Sequence, residues 1–271
     1  MGVVDQQPTS PDAARAFFNG SAVEDLGLGD AIATAFRMLT KPGLILPLIV
    51  VSTVISLTLD AALGPLLRDR LQLTIAALEE RAPLIISSAM TAVIGSLLAA
   101  AYGQVWLILA TRGETPSIGD ALQGTLERWL AVIVSGLIAG MLVLIVLVPA
   151  VLVVRSVLVV LLLVPVVAYL GSRLAFATWL AADGRGPTES VRMSWSISSG
   201  QVSRIIGWNL AFGFVAVILS AILELFLDDF VIGEGLIQGI TVAMEFGFGI
   251  VLYRVVEAEA RNPRRDPRGY L

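Results

Sequence analysis

Residues 130–182 read LAVIVSGLIAGMLVLIVLVPAVLVVRSVLVVLLLVPVVAYLGSRLAFATWLAA, and only Arg155 and Arg173 are charged in this stretch. An α-helix crosses the roughly 30 Å of hydrocarbon in a bilayer with about 20 residues. The stretch is therefore long enough for two membrane spans. Pro149 is the predicted turn between them, because proline removes a helical hydrogen bond and clashes with the preceding turn.

The composition of the whole chain also indicates a membrane protein. Its 271 residues are 56% hydrophobic and 15% charged, whereas a soluble domain carries roughly 25% charged residues. The apolar runs lack the alternation of membrane β-strands, so helices are the expected solution. The predicted fold class is all-α: a polytopic helical membrane protein with about six transmembrane helices, near residues 42–60, 84–110, 129–149, 152–178, 204–227 and 235–256.

A short amphipathic motif occurs three times, each time before a pair of apolar runs. The copies are Gly29-Asp30-Ala31-Ile32, Gly119-Asp120-Ala121-Leu122 and a weaker Glu189-Ser190-Val191. An acidic residue in a first helical turn complements the helix dipole. We expect side-chain oxygens of Ser117 with Asp120, and of Thr188 near Glu189, to accept hydrogen bonds from the first amides.

The three copies predict three parallel hairpin repeats, each preceded by a cytoplasmic interfacial amphipathic helix. The repeat units are roughly residues 27–112, 113–183 and 184–260, within a membrane domain at 27–260. Residues 65–82 lengthen the first unit and are predicted to form an extra helix on the outer face. The alternative is that interfacial helices look alike because each needs a cap, an acidic start and an apolar stripe.

Charge asymmetry predicts the orientation in the membrane. In the six-span layout, fourteen of the 18 basic residues lie on the side of both termini, and four lie opposite: Arg68, Arg70, Arg81 and Arg155. The positive-inside rule then places both termini in the cytoplasm of a multi-pass protein of the cell (plasma or inner) membrane. Residues 1–26 are predicted to be a polar mobile tail without the features of a signal peptide, and residues 261–271 a basic tail.

The chain lacks the residues that several classes of function require. The chain contains no Cys and no His, which excludes thiolate and imidazole nucleophiles and metal ligands. The sequence also lacks paired catalytic carboxylates, a phosphate-binding loop, a nucleophile elbow and a zinc motif. We therefore expect no enzymatic activity, no catalytic residues, no cofactor, no metal site and no nucleic-acid partner.

The candidate polar site lies inside the predicted membrane spans. Glu245 falls near the middle of the last span, where a charged side chain costs at least about 2.5–3.5 kcal/mol. Its possible partners are Asn209, Gln104 and Arg173. Glu245 could couple transport to a proton or cation, or it could be a neutral carboxyl bonded to a neighbouring helix. Arg155 and Arg173 could extend to the headgroups or bind lipid phosphate.

Small residues form stripes on three of the predicted spans. Gly95, Ala99 and Gly103 lie on the second span, Gly136 and Gly140 on the third, and Gly235 and Gly239 on the sixth. Such stripes favour close packing of helices in a membrane.

Three segments carry a resemblance to a known family. They are residues 28–37 (LGDAIATAFR) before Pro42, residues 189–196 (ESVRMSWS), and Leu252-Tyr253-Arg254. The chain resembles the membrane domain attached to some glycerophosphoryl diester phosphodiesterases of bacteria and archaea. The resemblance implies a membrane domain without the phosphodiesterase chemistry, because that chemistry belongs to a separate soluble barrel that uses His.

The predicted function is therefore that of a non-catalytic membrane protein. It would organise lipid or serve as an accessory or scaffold subunit, with membrane lipids, a membrane-protein partner or a second copy of itself as partners. The alternative is a small transporter or permease component in which Glu245 is an intramembrane polar site.

Overall fold

The computed structural model describes residues 27–68, 75–112, 116–153, 157–227 and 232–261. Every element in these ranges is an α-helix, which confirms the predicted all-α class. The helices are α1 (Leu28–Met38), α2 (Pro42–Arg68), α3 (Ile75–Thr111), α4 (Ile118–Val153), α5 (Val157–Leu174), α6 (Ala177–Ala182), α7 (Pro187–Ile197), α8 (Val202–Leu227) and α9 (Gly233–Arg261). The predicted tails before 27 and beyond 261, Arg155, and Asp228-Asp229 lie outside the described residues.

Six stretches within the described ranges are long and apolar enough to cross a membrane. They are Pro42–Ala62, Ala82–Thr111, Ile118–Val148, Leu163–Ala182, Val202–Leu227 and Gly233–Arg261. The prediction of a multi-pass protein with six spans is confirmed. The fourth stretch is interrupted, because α5 ends at Leu174 and α6 begins at Ala177.

Two predicted helix breaks are not found at their predicted positions. Helix α4 continues through Pro149 to Val153, so Pro149 is not a turn. The predicted extra helix at 65–82 is also not separate where the backbone is described, since α2 runs to Arg68 and α3 begins at Ile75. Continuous helix keeps the backbone hydrogen-bonded where water is absent, and this outweighs the one bond that a proline removes.

The three motif copies begin helices in different ways. The first and third open the separate helices α1 and α7, but the second is the first turn of the long helix α4. Thr40-Lys41 separates α1 from α2, and Gly200, with a φ of 80°, lies between α7 and α8. Residues 127–130 contain no comparable breaker, so the second copy is not an independent interfacial helix.

Hydrogen bonds at the helix starts confirm part of the capping prediction. The Asp120 carboxylate accepts bonds from the Ser117 amide and hydroxyl, and the Ser117 hydroxyl accepts one from the Asp120 amide. The Asp30 carboxylate accepts a bond from the Gly27 amide. The third copy has no side-chain cap; Gly186 precedes α7, and Pro187 occupies its first position.

Contacts between the spans close into a ring. Each of α2, α3, α4, α5, α8 and α9 packs against the next, and α9 packs back against α2; α1 packs against α9, and α6 packs against α3, α4 and α7. The start of α2, the end of α3 and the start of α4 meet near Gly43 and Trp106. All three motif segments and the end of α9 therefore lie at one end of the bundle.

Glycines set the closest helix contacts, as predicted for most of the small-residue stripes. A Cβ on Gly239 would lie 2.7 Å from the Ile49 Cα, and one on Gly235 would lie 2.4 Å from the Thr53 Cα. Gly95, Gly103 and Gly136 also face side chains of neighbouring helices. Gly140 differs, because no atom of the described chain lies within 4 Å of its Cβ position.

The bundle has two halves that differ in packing. The packed half contains α1, α6 and α7 together with the end of α3, the start of α4 and the end of α9. Its core is buried; the largest fully buried side chains there include Met38, Leu107, Leu180, Phe248 and Tyr253. The open half contains the remaining stretches of the spans, where most large apolar side chains are exposed.

A single face of α4 shows where the halves meet. Gly124 on this face lies against Val105 of α3, and Ser135, further along the same face, is fully buried. Leu142 continues the face two turns later and is 42% exposed. Exposed positions between 140 and 148 cover roughly two-thirds of the helix circumference. The face that packs against α3 at Gly124 is therefore exposed in this part of α4.

The facing side of α3 opens in the same way. Val105 is fully buried, whereas Leu98 and Ile94 on the same face are 42% and 52% exposed. The opposite side of α3 remains packed on α2, because Gly95 lies against Ile55. We call the exposed apolar surfaces of α3 (Ile94, Leu98) and α4 (Leu142, Val146) beyond the Val105–Gly124 contact the α3–α4 cleft.

Candidate functional site

Glu245 lies on α9 with its side chain exposed. Thr241, one turn earlier, bonds the Ser220 hydroxyl of α8 at 3.2 Å, and Gly249, one turn later, lies against the Trp179 ring of α6. Successive helical residues are about 100° apart, so Glu245 points into the space between α8 and α6. Trp179 belongs to the packed half, and Glu245 lies one turn before the residue that contacts it. Glu245 is therefore at the boundary between the packed half and the open half.

The predicted partners of Glu245 are bonded elsewhere. The Gln104 amide nitrogen donates to the Thr178 hydroxyl at 3.0 Å, and Gln104 is buried. Asn209 is exposed and donates to the Ile205 carbonyl of its own helix at 2.8 Å. Within the described residues, no hydrogen bond or ion pair joins Glu245 to any helix that packs against α9. The structure thus does not assemble the four predicted residues into one bonded site.

Arg173 occupies a different place, at the contact between α5 and α7. The residue is only 8% exposed. Its guanidinium carbon lies 4.5 Å from the centroid of the Trp195 ring and 5.8 Å from that of Tyr169. The two rings meet edge to face at 6.3 Å, so Arg173 is held in an aromatic corner.

Serines of α7 hold the backbone at the break between α5 and α6. The Ser194 hydroxyl donates to the Arg173 carbonyl at 2.9 Å and accepts a bond from the Phe176 amide at 3.2 Å. The Ser198 hydroxyl also donates to the Arg173 carbonyl, at 3.2 Å. These bonds satisfy groups that the interrupted helix leaves free, and Ser194 and Ser198 are buried.

A polar cluster at the end of α9 was not predicted. Glu257 is 3% exposed and accepts bonds from Arg254 at 2.9 Å and Arg261 at 2.6 Å. Arg254 also donates to the Thr111 hydroxyl of α3 at 3.0 Å. A buried carboxylate needs such charged partners. Arg254, which bonds both Glu257 and Thr111, therefore links the end of α9 to the end of α3.

Ion pairs and one cation–carbonyl bond extend this cluster across neighbouring helices. Arg112, directly after α3, pairs with Asp183 at 2.7 Å, and Arg128 of α4 donates to the Ala182 carbonyl at 2.8 Å. Arg204 of α8 pairs with Glu259 of α9. These contacts link α3 and α4 to the end of α6, and α8 to α9.

Only weak sequence signals pointed to these residues. Glu257 follows the last apolar run with three- and four-residue spacings to Arg254 and Arg261, which is typical of solvated helix ends as well as of buried pairs. Ser194 and Ser198 share a helix face, but serines at such spacing are common. Their roles follow from tertiary contacts.

No family model, curated protein or solved structure matches the chain. The function therefore has to be inferred from the geometry and chemistry of the chain itself.

Proposed function

We propose that this protein is a non-catalytic membrane protein that binds and organises lipid, with acyl chains in the α3–α4 cleft. The observation that carries the proposal is the α4 face that is buried at Ser135 and exposed at Leu142. An apolar gap in a membrane is filled by acyl chains or by another apolar helix.

The chemistry of the cleft supports lipid over a polar ligand. Ile94, Leu98, Leu142 and Val146 offer apolar surface without a charge. The packed half supplies the rigid support for such a site, because its helices are joined by the cluster around Glu257. A membrane-protein partner or a second copy of the chain seated in the cleft is the competing occupant.

Orientation is part of the proposal. Both termini would be cytoplasmic in the cell membrane, since the three motif segments and the end of α9 lie at one end of the bundle and most basic residues fall there. Reaction of a cysteine added at either terminus of this cysteine-free chain with a membrane-impermeant maleimide would test this. Labelling of intact cells before lysis would contradict it.

The lipid proposal can be tested by counting bound lipids. The protein would be released from nanodiscs and its retained lipids counted by native mass spectrometry. Leu142→Trp fills the cleft and is expected to lower the number of retained lipids. Leu144→Trp, on the opposite face of α4, is the matched control and should retain as many as the wild type.

The outcomes separate the possible occupants. Equal retention by Leu142→Trp and Leu144→Trp would contradict binding in the cleft. Retention of a protein partner or a dimer, with no bound lipid, would replace the proposal by an accessory or scaffold role.

Glu245 favours transport as a second candidate function. Its side chain is exposed at the level where the open half begins, within a span, and the described residues give it no ion-pair partner. In liposomes, a trapped pH-sensitive dye would report proton flux under a potassium gradient with valinomycin. If Glu245 couples transport, Glu245→Gln should abolish the flux. Glu234→Gln is the control and should leave it unchanged, because the Glu234 carboxylate already accepts a hydrogen bond from the Ser56 hydroxyl at 2.9 Å. Equal flux in wild type and Glu245→Gln would remove this candidate.

A further inference from the structure

We infer that Arg173, held between Tyr169 and Trp195, binds the phosphate of an anionic phospholipid headgroup. This inference rests on the proposed lipid-binding function and adds a headgroup site to it. The site lies where α5, α7 and the start of α8 meet, apart from the α3–α4 cleft.

Arg173 is a buried cation without a protein counter-charge. It forms no hydrogen bond or ion pair through its side chain in the part of the chain that the structure describes, and its Nε is buried without a partner. Its two terminal nitrogens are not buried in this way, so they can reach a ligand at the surface. A buried charge is expensive unless it is paired, and the missing partner must therefore come from outside the described chain.

Three other arginines near the same end of the bundle pair with carboxylates of the chain. Arg204 makes the closest comparison, because its guanidinium carbon also stacks on a tryptophan, 4.7 Å from the Trp208 centroid. Arg204, however, pairs with Glu259. Arg112 pairs with Asp183, and Arg254 pairs with Glu257. The stack at Arg173 has the same aromatic support without the carboxylate.

The depth of the site matches the headgroup region. The Arg173 carbonyl accepts a bond from Ser198, which begins the polar turn Ser198-Ser199-Gly200-Gln201 before α8. A polar turn of this kind cannot lie in the hydrocarbon facing lipid. Tyr169 and Trp195 are 44% and 39% exposed, as expected for aromatic residues at a membrane interface.

The chemistry of the guanidinium selects the ligand. An arginine presents a planar fork of donors that matches two oxygens of a phosphate. The two rings fix its orientation, since Trp195 and Tyr169 leave the fork little freedom.

Native mass spectrometry of delipidated protein tests the site. The protein would be titrated with phosphatidylglycerol and, separately, with diacylglycerol of the same acyl chains, which lacks the phosphate. Wild type is expected to prefer phosphatidylglycerol by about tenfold or more, the size of one charge-assisted bidentate contact. Arg173→Gln is expected to lose this preference, and Arg173→Lys to keep part of it, because lysine retains the charge without the fork.

Arg192→Gln is the matched control, since it removes one positive charge from the exposed side of α7. It is expected to change the preference by less than about threefold, as for a screened surface charge. Inorganic phosphate at millimolar concentration is expected to leave phosphatidylglycerol bound, because the acyl chains contribute to binding.

Each other outcome overturns a definite statement. Equal binding of phosphatidylglycerol and diacylglycerol by wild type would overturn the headgroup site without requiring any variant to fold. A preference that survives in Arg173→Gln, or is lost equally in Arg192→Gln, would overturn the assignment to Arg173 and leave the proposed function intact. Displacement by inorganic phosphate would show a free-anion site. Failure to bind either lipid would overturn the proposed function itself.

Discussion

The packed half and the open half of the bundle are built from similar apolar residues, yet only one of them closes. On a single face of α4, Ser135 is buried and Leu142 is exposed. The packed half contains the additional helices α6 and α7, glycines that admit neighbouring side chains, and the ion pairs around Glu257. In a membrane, apolar surface alone does not drive helices together. Helices instead come into contact where small residues allow close approach or where polar side chains bond across them. Substitutions of each kind can therefore test the difference between the two halves.

The largest effect is expected where the packed half depends on a buried charge. Glu257→Gln would leave Arg254 without its carboxylate, which should lower the free energy of unfolding by about 3 kcal/mol. Glu189→Gln removes the exposed partner of Arg185, a pair four residues apart at the start of α7, and should cost at most about 0.5 kcal/mol. Reversible unfolding in mixed detergent micelles would measure both. Similar small losses in the two variants would show that the buried cluster does not stabilise this half.

A smaller effect is expected from a single methyl group at a helix crossing. Gly247→Ala places a Cβ against the backbone of α1 in the packed half, 3.0 Å from the Ala35 Cα, and such overpacking costs typically about 1–3 kcal/mol. Gly140→Ala adds the same atom in the open half, where the described chain leaves its Cβ position free of contacts. It should be neutral or slightly stabilising, because alanine is the better helix former. Thermal denaturation of the two variants in one lipid mixture would compare them, and equal melting temperatures would mean that the halves do not differ in packing.

Much of the fold follows from sequence features that act locally. Apolar length gives the six spans, and the Ser117-Asp120 pair gives the start of α4, because a cap depends only on neighbouring residues. Pro149 shows the limit of local rules, since the surrounding apolar helix continues through it. The break after Leu174 was not predicted, because it depends on Ser194 and Ser198, which reach it from another helix.

The candidate site was less predictable for the same reason. Glu245 was recognisable as a carboxylate within a span, but its direction depends on how α8 and α6 pack around α9. Arg173 was identified as a candidate for lipid phosphate, whereas its aromatic corner is formed by a residue 22 positions further along the chain. Burial of Glu257 requires the end of α3, which no nearby sequence pattern specifies.

The contrast along the inner face of α4 is the central claim, and oxygen accessibility tests it most directly. Because the chain has no cysteine, Val132→Cys, Leu142→Cys and Leu144→Cys can each carry one trifluoroethyl group. In lipid bilayers, ¹⁹F NMR would measure the paramagnetic shift caused by dissolved oxygen, which concentrates in hydrocarbon. We expect the group at 142 to shift nearly as much as the one at the lipid-facing position 144, and the group at 132 to shift far less. A group at 142 as sheltered as the one at 132 would show that α3 and α4 are closed together, and the α3–α4 cleft would not exist.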